Sequence, residues 1–361
     1  MQIKLALAVF SACLFVGCAG NGPSQSMGGD DDDGGGDDGD VPFTNGVSTL
    51  AGTAAAGYVD GARKVAQFSN PVNVAYRDGK VYVADFDNNK LRVIDADTHV
   101  TRTVIAQPSF KRPFGLAFAG DGTLYVSTDN DQSGNHTPMS GSIWRIDVAA
   151  GTATVVANAI GRPRGLAVLP DGRLAVADYL HHVIELVNAA TGQVTPIAGA
   201  WDVKGMVDGP GATARFSAPY SVVVRGDGKL LVTDCDNNRI RVIGLDGVTA
   251  TLSGASAPGF VDGALTEARF DHPQALSIAS NGDVYLTDTG NFRVRRIAGN
   301  HVETIAGDGK GGYVDSDDPL ASELYGLEGL AVVPDGSMVY VADGSRGEAV
   351  PYNRVRQVKL H

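Results

Sequence analysis

Six times between residues 47 and 361 the chain writes the same punctuation, and no other feature restricts its fold so strongly. An Asp-Gly or Asn-Gly turn separates two apolar runs at Asp78-Gly79, Asp121-Gly122, Asp171-Gly172, Asp227-Gly228, Asn281-Gly282 and Asp335-Gly336. Such dipeptides accept the positive φ angles of tight hairpins. Seven or eight residues before each turn stands Pro71, Pro113, Pro163, Pro219 or Pro273, with Leu327 in the last copy. After each turn comes a strand such as Val81-Tyr82-Val83-Ala84, and most of these strands end in Asp: Asp85, Asp178, Asp234, Asp288 and Asp343, with Thr128-Asp129 in the second copy. Three copies continue with an Asn three residues on and a basic residue five on: Asn88 and Lys90, Asn237 and Arg239, Asn291 and Arg293. Two more strands, for example Ile240-Arg241-Val242-Ile243 and Val248 to Leu252, complete the unit.

Four short antiparallel strands recurring every 42 to 56 residues predict an all-β fold, a six-bladed β-propeller of four-stranded antiparallel blades. The copies resemble those of NHL-repeat propellers, which Gly165-Leu166-Ala167 and Gly329-Leu330-Ala331 match closely. After the third strand of the sixth unit, Arg354 to Leu360, no fourth strand follows. Val47 to Gly52 reads like the fourth strands Val194 to Gly199 and Val302 to Gly307, so the N-terminal strand is expected to complete the last blade and remove the open edges. A propeller hosts binding modules and enzymes alike, so the resemblance implies a scaffold rather than an activity.

Ahead of the repeats, Met1 to Lys4 carries one positive charge and Leu5 to Val16 is an almost unbroken apolar run too short for a comfortable membrane span. Residues 1–17 therefore read as a secretion signal. The stretch Leu14-Phe15-Val16-Gly17-Cys18 resembles a bacterial lipoprotein signal, with Phe15 where that family has Leu. The resemblance implies cleavage before Cys18, lipidation of its thiol, and attachment to a membrane of the cell envelope. Ala19, in place of the Asp that retains some lipoproteins at the inner membrane, points to the outer one. The plainer alternative is an ordinary signal peptide and a secreted protein. Residues 18–42, almost all Gly, Ser, Asn and Asp after the cysteine, predict an extended disordered spacer, followed by the propeller body at 43–361. The acidic runs Asp30 to Asp33 and Asp37 to Asp40 lack the alternate ligand spacing and distal Glu of an EF-hand loop, so they predict no specific calcium site.

Seven Asp within residues 30–40 account for much of the formal charge of −12 and leave 34 acids against 28 bases, or −6, for residues 41–361. A mildly acidic body is a poor nucleic-acid binder. With Cys13 in the signal and Cys18 lipidated, Cys235 has no partner for an internal disulfide and reads as a packed residue. The expected partner is a protein, peptide or glycan, and the chain is expected to be monomeric.

In a four-stranded blade, the blade-to-blade connections and the loops between second and third strands share one face, and all the long segments fall there. Four connections carry G-x-V-D-[G/S] followed by Phe or Leu: Gly57 to Gly61 with Phe68, Gly205 to Gly209 with Phe216, Gly259 to Gly263 with Phe270, and Gly312 to Ser316 with Leu324. Its Asp is expected to order a turn and its Phe or Leu to pack between blades. The Asp that ends each second strand is expected to accept bonds from the neighbouring loop or from the Asn and Arg that follow it. His181-His182, in place of the D-x-x-N-x-R residues of the third copy, are expected in an exposed turn. Residues preceding the strand-entry prolines should ring the channel: Asn70, Arg112, Arg162, Ala218, His272 and, in the last copy, Gly326. Asn70, Arg112, Arg162, Arg164, Tyr220, Asp271 and His272 are thus the candidate ligand-binding residues, with the arginines suited to a carboxylate. The bland alternative pairs Arg112 and Arg162 with acids of a neighbouring blade. No nucleophile–base pair or zinc motif is present, so no catalytic residue, cofactor or metal is assigned. Resemblance to metal-dependent lactonases and peptide-amidating lyases of six-bladed form implies a rival, a hydrolase or lyase with Ca or Zn at the channel mouth held by Asn70, Asp271 and His272; arginine beside a divalent ion opposes it.

Overall fold

The computed structural model describes residues 45–360; the signal segment, Cys18 and the acidic spacer lie outside the described residues. Six antiparallel sheets form a ring, each of four strands, with the two-residue strand Gly263–Ala264 added to the fifth. The innermost strands are Pro71–Arg77, Pro113–Phe118, Pro163–Val168, Pro219–Val224, Pro273–Ile278 and Leu327–Val332, and each touches both neighbours around a central channel. Proline is tolerated here because the first residue of a strand can do without an N–H. Gly165 has another role: a Cβ on it would lie 2.6 Å from the Val222 nitrogen, so the innermost strands of blades three and four approach too closely for any side chain.

The ring closes as the repeat predicts. Gly46–Thr53 pairs antiparallel with Asn353–Lys359, Val47 facing Val358 and Gly52 facing Arg354, in one sheet with Met338–Asp343 and Leu327–Val332. Between blades the Phe or Leu of the connecting element fills the core, with Phe68, Phe216, Phe270 and Leu324 fully buried. Phe68 packs with Val74 and Val81 of blade one and with Ala331 and Val355 of blade six.

The recurrent Asp meets the backbone need expected of it, but its cationic partner differs from the one the repeat suggests. Asp85 accepts the Ser69 N–H at 2.8 Å and the Asn88 amide at 2.8 Å, and it pairs with Arg92 Nη1 at 2.8 Å. Asp234 with Arg241, Asp288 with Arg295 and Asp343 with Arg356 repeat the pairing. The basic residue five positions on lies instead over the aromatic ring of the connecting element: Lys90 over Tyr58 at 4.4 Å and Arg293 over Phe260 at 4.0 Å. Positions two apart share a face of the strand, so both cations lie against the same ring, and the second of them, the buried arginine, is the one that reaches the Asp.

The second Asp of the module also departs from expectation. Asp60, Asp208, Asp262 and Asp315 each bind the far side of the same buried arginine, and each accepts the N–H of an outer-strand threonine: Thr103, Thr251, Thr304 and Thr49 respectively. They tie the connection to the outer strand rather than ordering a turn. Burial pushes Asp85, Asp234 and Asp288 up to about 6 despite their arginines. Such a buried pair adds little net stability but fixes geometry, since the arginine fits only where both carboxylates converge.

Candidate functional site

Blades two and three lack the arginine, and its loss reorganises the long-loop face around them. The position occupied by Arg92, Arg241, Arg295 and Arg356 holds Trp144 in blade two, opposite Val126, and Glu185 in blade three, opposite Val176. These are also the two blades whose entry lacks the G-x-V-D element, so the arginine disappears together with its second carboxylate.

In blade two the indole of Trp144 donates to the Thr128 hydroxyl at 2.9 Å, and Asp129 is left for other cations. Arg162 Nη2 reaches Asp129 Oδ2 at 2.9 Å and Arg164 Nη1 reaches Oδ1 at 3.1 Å, with His136 Nε2 at 4.0 Å. Burial works to raise the Asp129 carboxyl, but the guanidiniums of Arg164 and Arg162 hold it below its ordinary range. Arg112 lies over Phe86 of blade one at 4.9 Å, and Arg164 over Phe114 at 4.0 Å. Arg162 thus pairs with the neighbouring blade's acid as the bland alternative has it, and Arg164 pairs with the same acid. Two guanidiniums share the Asp129 carboxylate, and the third, Arg112, lies beside them over Phe86.

The other candidates serve the blade junctions. Asn70, Arg112, Ala218 and His272 hold positive φ angles, and the N–H of each meets a side chain of the preceding blade: Asn353, Asn89, His182 and Asn238. His272 pairs with its neighbour Asp271, and the bond to Asp271 raises the imidazole above its ordinary value. Tyr220 stands deeper, within the channel, and donates to Glu328 at 2.8 Å. Among the described residues no group of three His, Cys, Asp or Glu side chains could hold a metal ion.

His181 and His182 do not form the exposed turn expected of them. His181 is buried, with Nδ1 at 2.6 Å from Asp178 and its ring stacked on Trp201 at 4.1 Å. His182 Nδ1 accepts the Ala218 N–H at 3.1 Å where other blades use Asn, and burial lowers its pKa, in keeping with an unprotonated acceptor. Beside them Glu185 is 3% exposed and its Oε2 has no partner. Burial, with the Asp178 charge adding to it, pushes its carboxyl up to about 8.

Blades five and six break the pattern differently. Phe292 takes the left-handed position that Asn89 and Asn238 hold elsewhere, and an aromatic row runs from it to Tyr325, Tyr352 and Tyr313 at centroid distances of 5.9, 4.4 and 5.3 Å. A bulky residue at positive φ is costly without a compensating contact, which the Tyr325 stack supplies here. Glu348 of the long sixth-blade loop accepts the Tyr325 hydroxyl. Trp144, Glu185 and Phe292 all escape a sequence reading that follows the shared residues, although the arginine column itself, once aligned, exposes the first two.

Comparison with known proteins agrees with this architecture. The NHL repeat family model matches residues 270–297. Protein SUPPRESSOR OF QUENCHING 1, chloroplastic, of Arabidopsis thaliana is 27% identical over 283 residues, covering 69% of this chain. NHL repeat-containing protein 2 of Gallus gallus is 26% identical over 325 residues, covering 84%. The chain spans 27% and 41% of the length of these two relatives. An auxiliary nutrient binding protein of Bacteroides thetaiotaomicron superposes with a TM-score of 0.68 at 16% identity, over 86% of this chain and 75% of that one. Virginiamycin B lyase of Staphylococcus aureus superposes with 0.51 at 15%, over 81% and 96%. Both likenesses are of fold. With a repeat matched in its fifth blade and its whole ring shared with solved propellers, the chain is a six-bladed β-propeller that carries an NHL repeat.

Proposed function

We propose that this propeller is an extracytoplasmic recognition module, held to the cell envelope through Cys18, that binds a protein, peptide or glycan on its long-loop face. The observation that carries it is where the repeat fails: the ion-pair module is kept in blades one, four, five and six and abandoned in two and three, where Arg162 and Arg164 share Asp129 and Arg112 lies beside them over Phe86. Irregular residues on a rigid scaffold are where binding resides. A carboxylate-bearing group suits Arg112 and Arg162, since a guanidinium offers two parallel donors to such a group. The aromatic row of blades five and six offers stacking surface on the same face.

The test is a binding panel of acidic and neutral peptides and glycans against the purified protein. An acidic member should bind, and Arg112→Ala with Arg162→Ala should weaken it by about tenfold or more, because charge-assisted bonds of this kind are strong. Unchanged affinity in both variants would remove the arginines from the site. Tethering is tested separately by growth with a radiolabelled fatty acid: label should enter the natural protein and be lost in Cys18→Ser. Label retained in that variant, or absent from both, would leave the ordinary signal peptide. The envelope location is supported by the signal-like residues 1–17 and by two solved propellers of similar fold that are described as auxiliary nutrient binding proteins.

A further inference from the structure

Below the long-loop face the channel holds a cavity of about 210 Å³. Its end toward that face is formed by second residues of the innermost strands: Arg164 and Tyr220, which follow prolines, and Glu328, which follows Leu327. Toward the short-hairpin face it is lined by Tyr76, Phe118 and Val223, all partly exposed, which makes that the way in. The volume matches on the order of seven waters at about 30 Å³ each.

Two opposite charges line this cavity without meeting. Arg164 gives Nη1 to Asp129 and packs over Phe114 and Tyr179, and among the described residues no hydrogen bond or ion pair is recorded at its Nε or Nη2. Glu328 accepts one bond at its side chain, from the Tyr220 hydroxyl to Oε1, while Oε2 is buried with no partner. No ion pair joins Glu328 to Arg164 within 4.0 Å. Burial raises the Glu328 carboxyl above its ordinary range, opposed by the Tyr220 hydroxyl and by the more distant Arg164 and Arg346, and a ligand carrying both complementary charges would bridge the two groups across the channel. The walls mix polar groups, Asn73, Ser221 and Ser277, with aliphatic ones, Leu116, Leu276 and Leu330 among them.

We propose that the channel binds a small zwitterion of the α-amino-acid class, its carboxylate on the Nε–Nη2 edge of Arg164, its ammonium on Glu328, and a short aliphatic side chain against the leucines. No bond is made or broken. The site lies below the long-loop face and shares Arg164 with the arginine group there, whereas Arg112 and Arg162 do not line it.

The purified protein is titrated by calorimetry with aliphatic L-amino acids, and with the matching carboxylic acids and amines as single-charge probes. At least one amino acid should bind saturably, with its single-charge analogues weaker by about tenfold or more, because each leaves a buried charge unanswered. Glu328→Gln, which keeps the shape, should weaken amino-acid binding by a similar factor and leave the carboxylic acid unaffected. Absence of amino-acid binding at millimolar concentration, meaning a channel that holds water only, would overturn the proposal. Equal binding of acid and amino acid would also overturn it. Should Glu328→Gln fail to fold, the three probe classes on the natural protein decide alone.

Discussion

Removal of residues 45–53 is expected to abolish cooperative folding of the propeller. The lost strand carries Val47, Leu50 and Ala51, all fully buried, and burying a Val or Leu side chain is worth about 1.5–3 kcal/mol. It also removes the whole ladder to Asn353–Lys359 and the Thr49 N–H bonded to Asp315 at 2.9 Å. Asp315 would then hold Arg356 without its tie to the outer strand, and the hydrophobic residues of blade six would face water along an unpaired edge. Against a total stability of about 5–15 kcal/mol, the combined loss is enough to unfold a single domain. Circular dichroism during thermal denaturation should show no sharp transition in the truncated protein. A melting temperature equal to that of the natural protein would refute closure by this strand.

Replacing Glu185 by Gln should stabilise the protein most at alkaline pH. The carboxyl titrates at about 8 in the folded protein and near 4.3 when unfolded, so the folded state binds the extra proton between these values. Stability linked to this group is fully present below about pH 4.3 and falls as pH rises through about 8, by roughly 1.4 kcal/mol per unit. The limiting loss is at most about 5 kcal/mol, and rearrangement or entry of water reduces it. The buried aspartates of blades one, four and five titrate at about 6, which makes the interval from pH 6 to 8.5 the one that isolates Glu185. Chemical denaturation at both ends should show the natural protein losing stability across this interval and Glu185→Gln losing much less. Parallel curves would mean that the carboxylate is stabilised by a partner.

Much of the fold is legible in the chain because each blade must solve the same local problems. A tight hairpin needs a residue that accepts positive φ, hence the repeated Gly after Asp or Asn. The first innermost-strand position tolerates proline, and the bend before it needs an acceptor for its N–H, hence the Asp that ends the second strand. The site is legible only in part. Arg112, Arg162 and Arg164 stand out as departures from the repeat, and they do assemble. Asp271 and His272 stand out equally, yet they pair with each other at a junction of their own. Sequence spacing places residues on a face, but contact between blades depends on which partner each side chain finds across the gap.

His181 marks the same boundary. As a polar residue in a predicted turn it reads as exposed, but Asp178 and the ring of Trp201, twenty residues further on, enclose it. By itself the sequence determined the number of blades, the strand order within each and the strand that closes the ring, since these follow from local turn chemistry and alternating burial repeated six times. Only the tertiary structure decided how charge is shared between blades. It shows Arg92, Arg241, Arg295 and Arg356 each locked between two carboxylates far apart in sequence, Asp129 passed to Arg162 and Arg164 once that arginine is gone, and Glu328 held in the channel by the Tyr220 hydroxyl with no ion pair recorded. The physical reason is that the energy of a charge inside a protein depends on burial and on distances between separate blades, neither of which any single repeat contains.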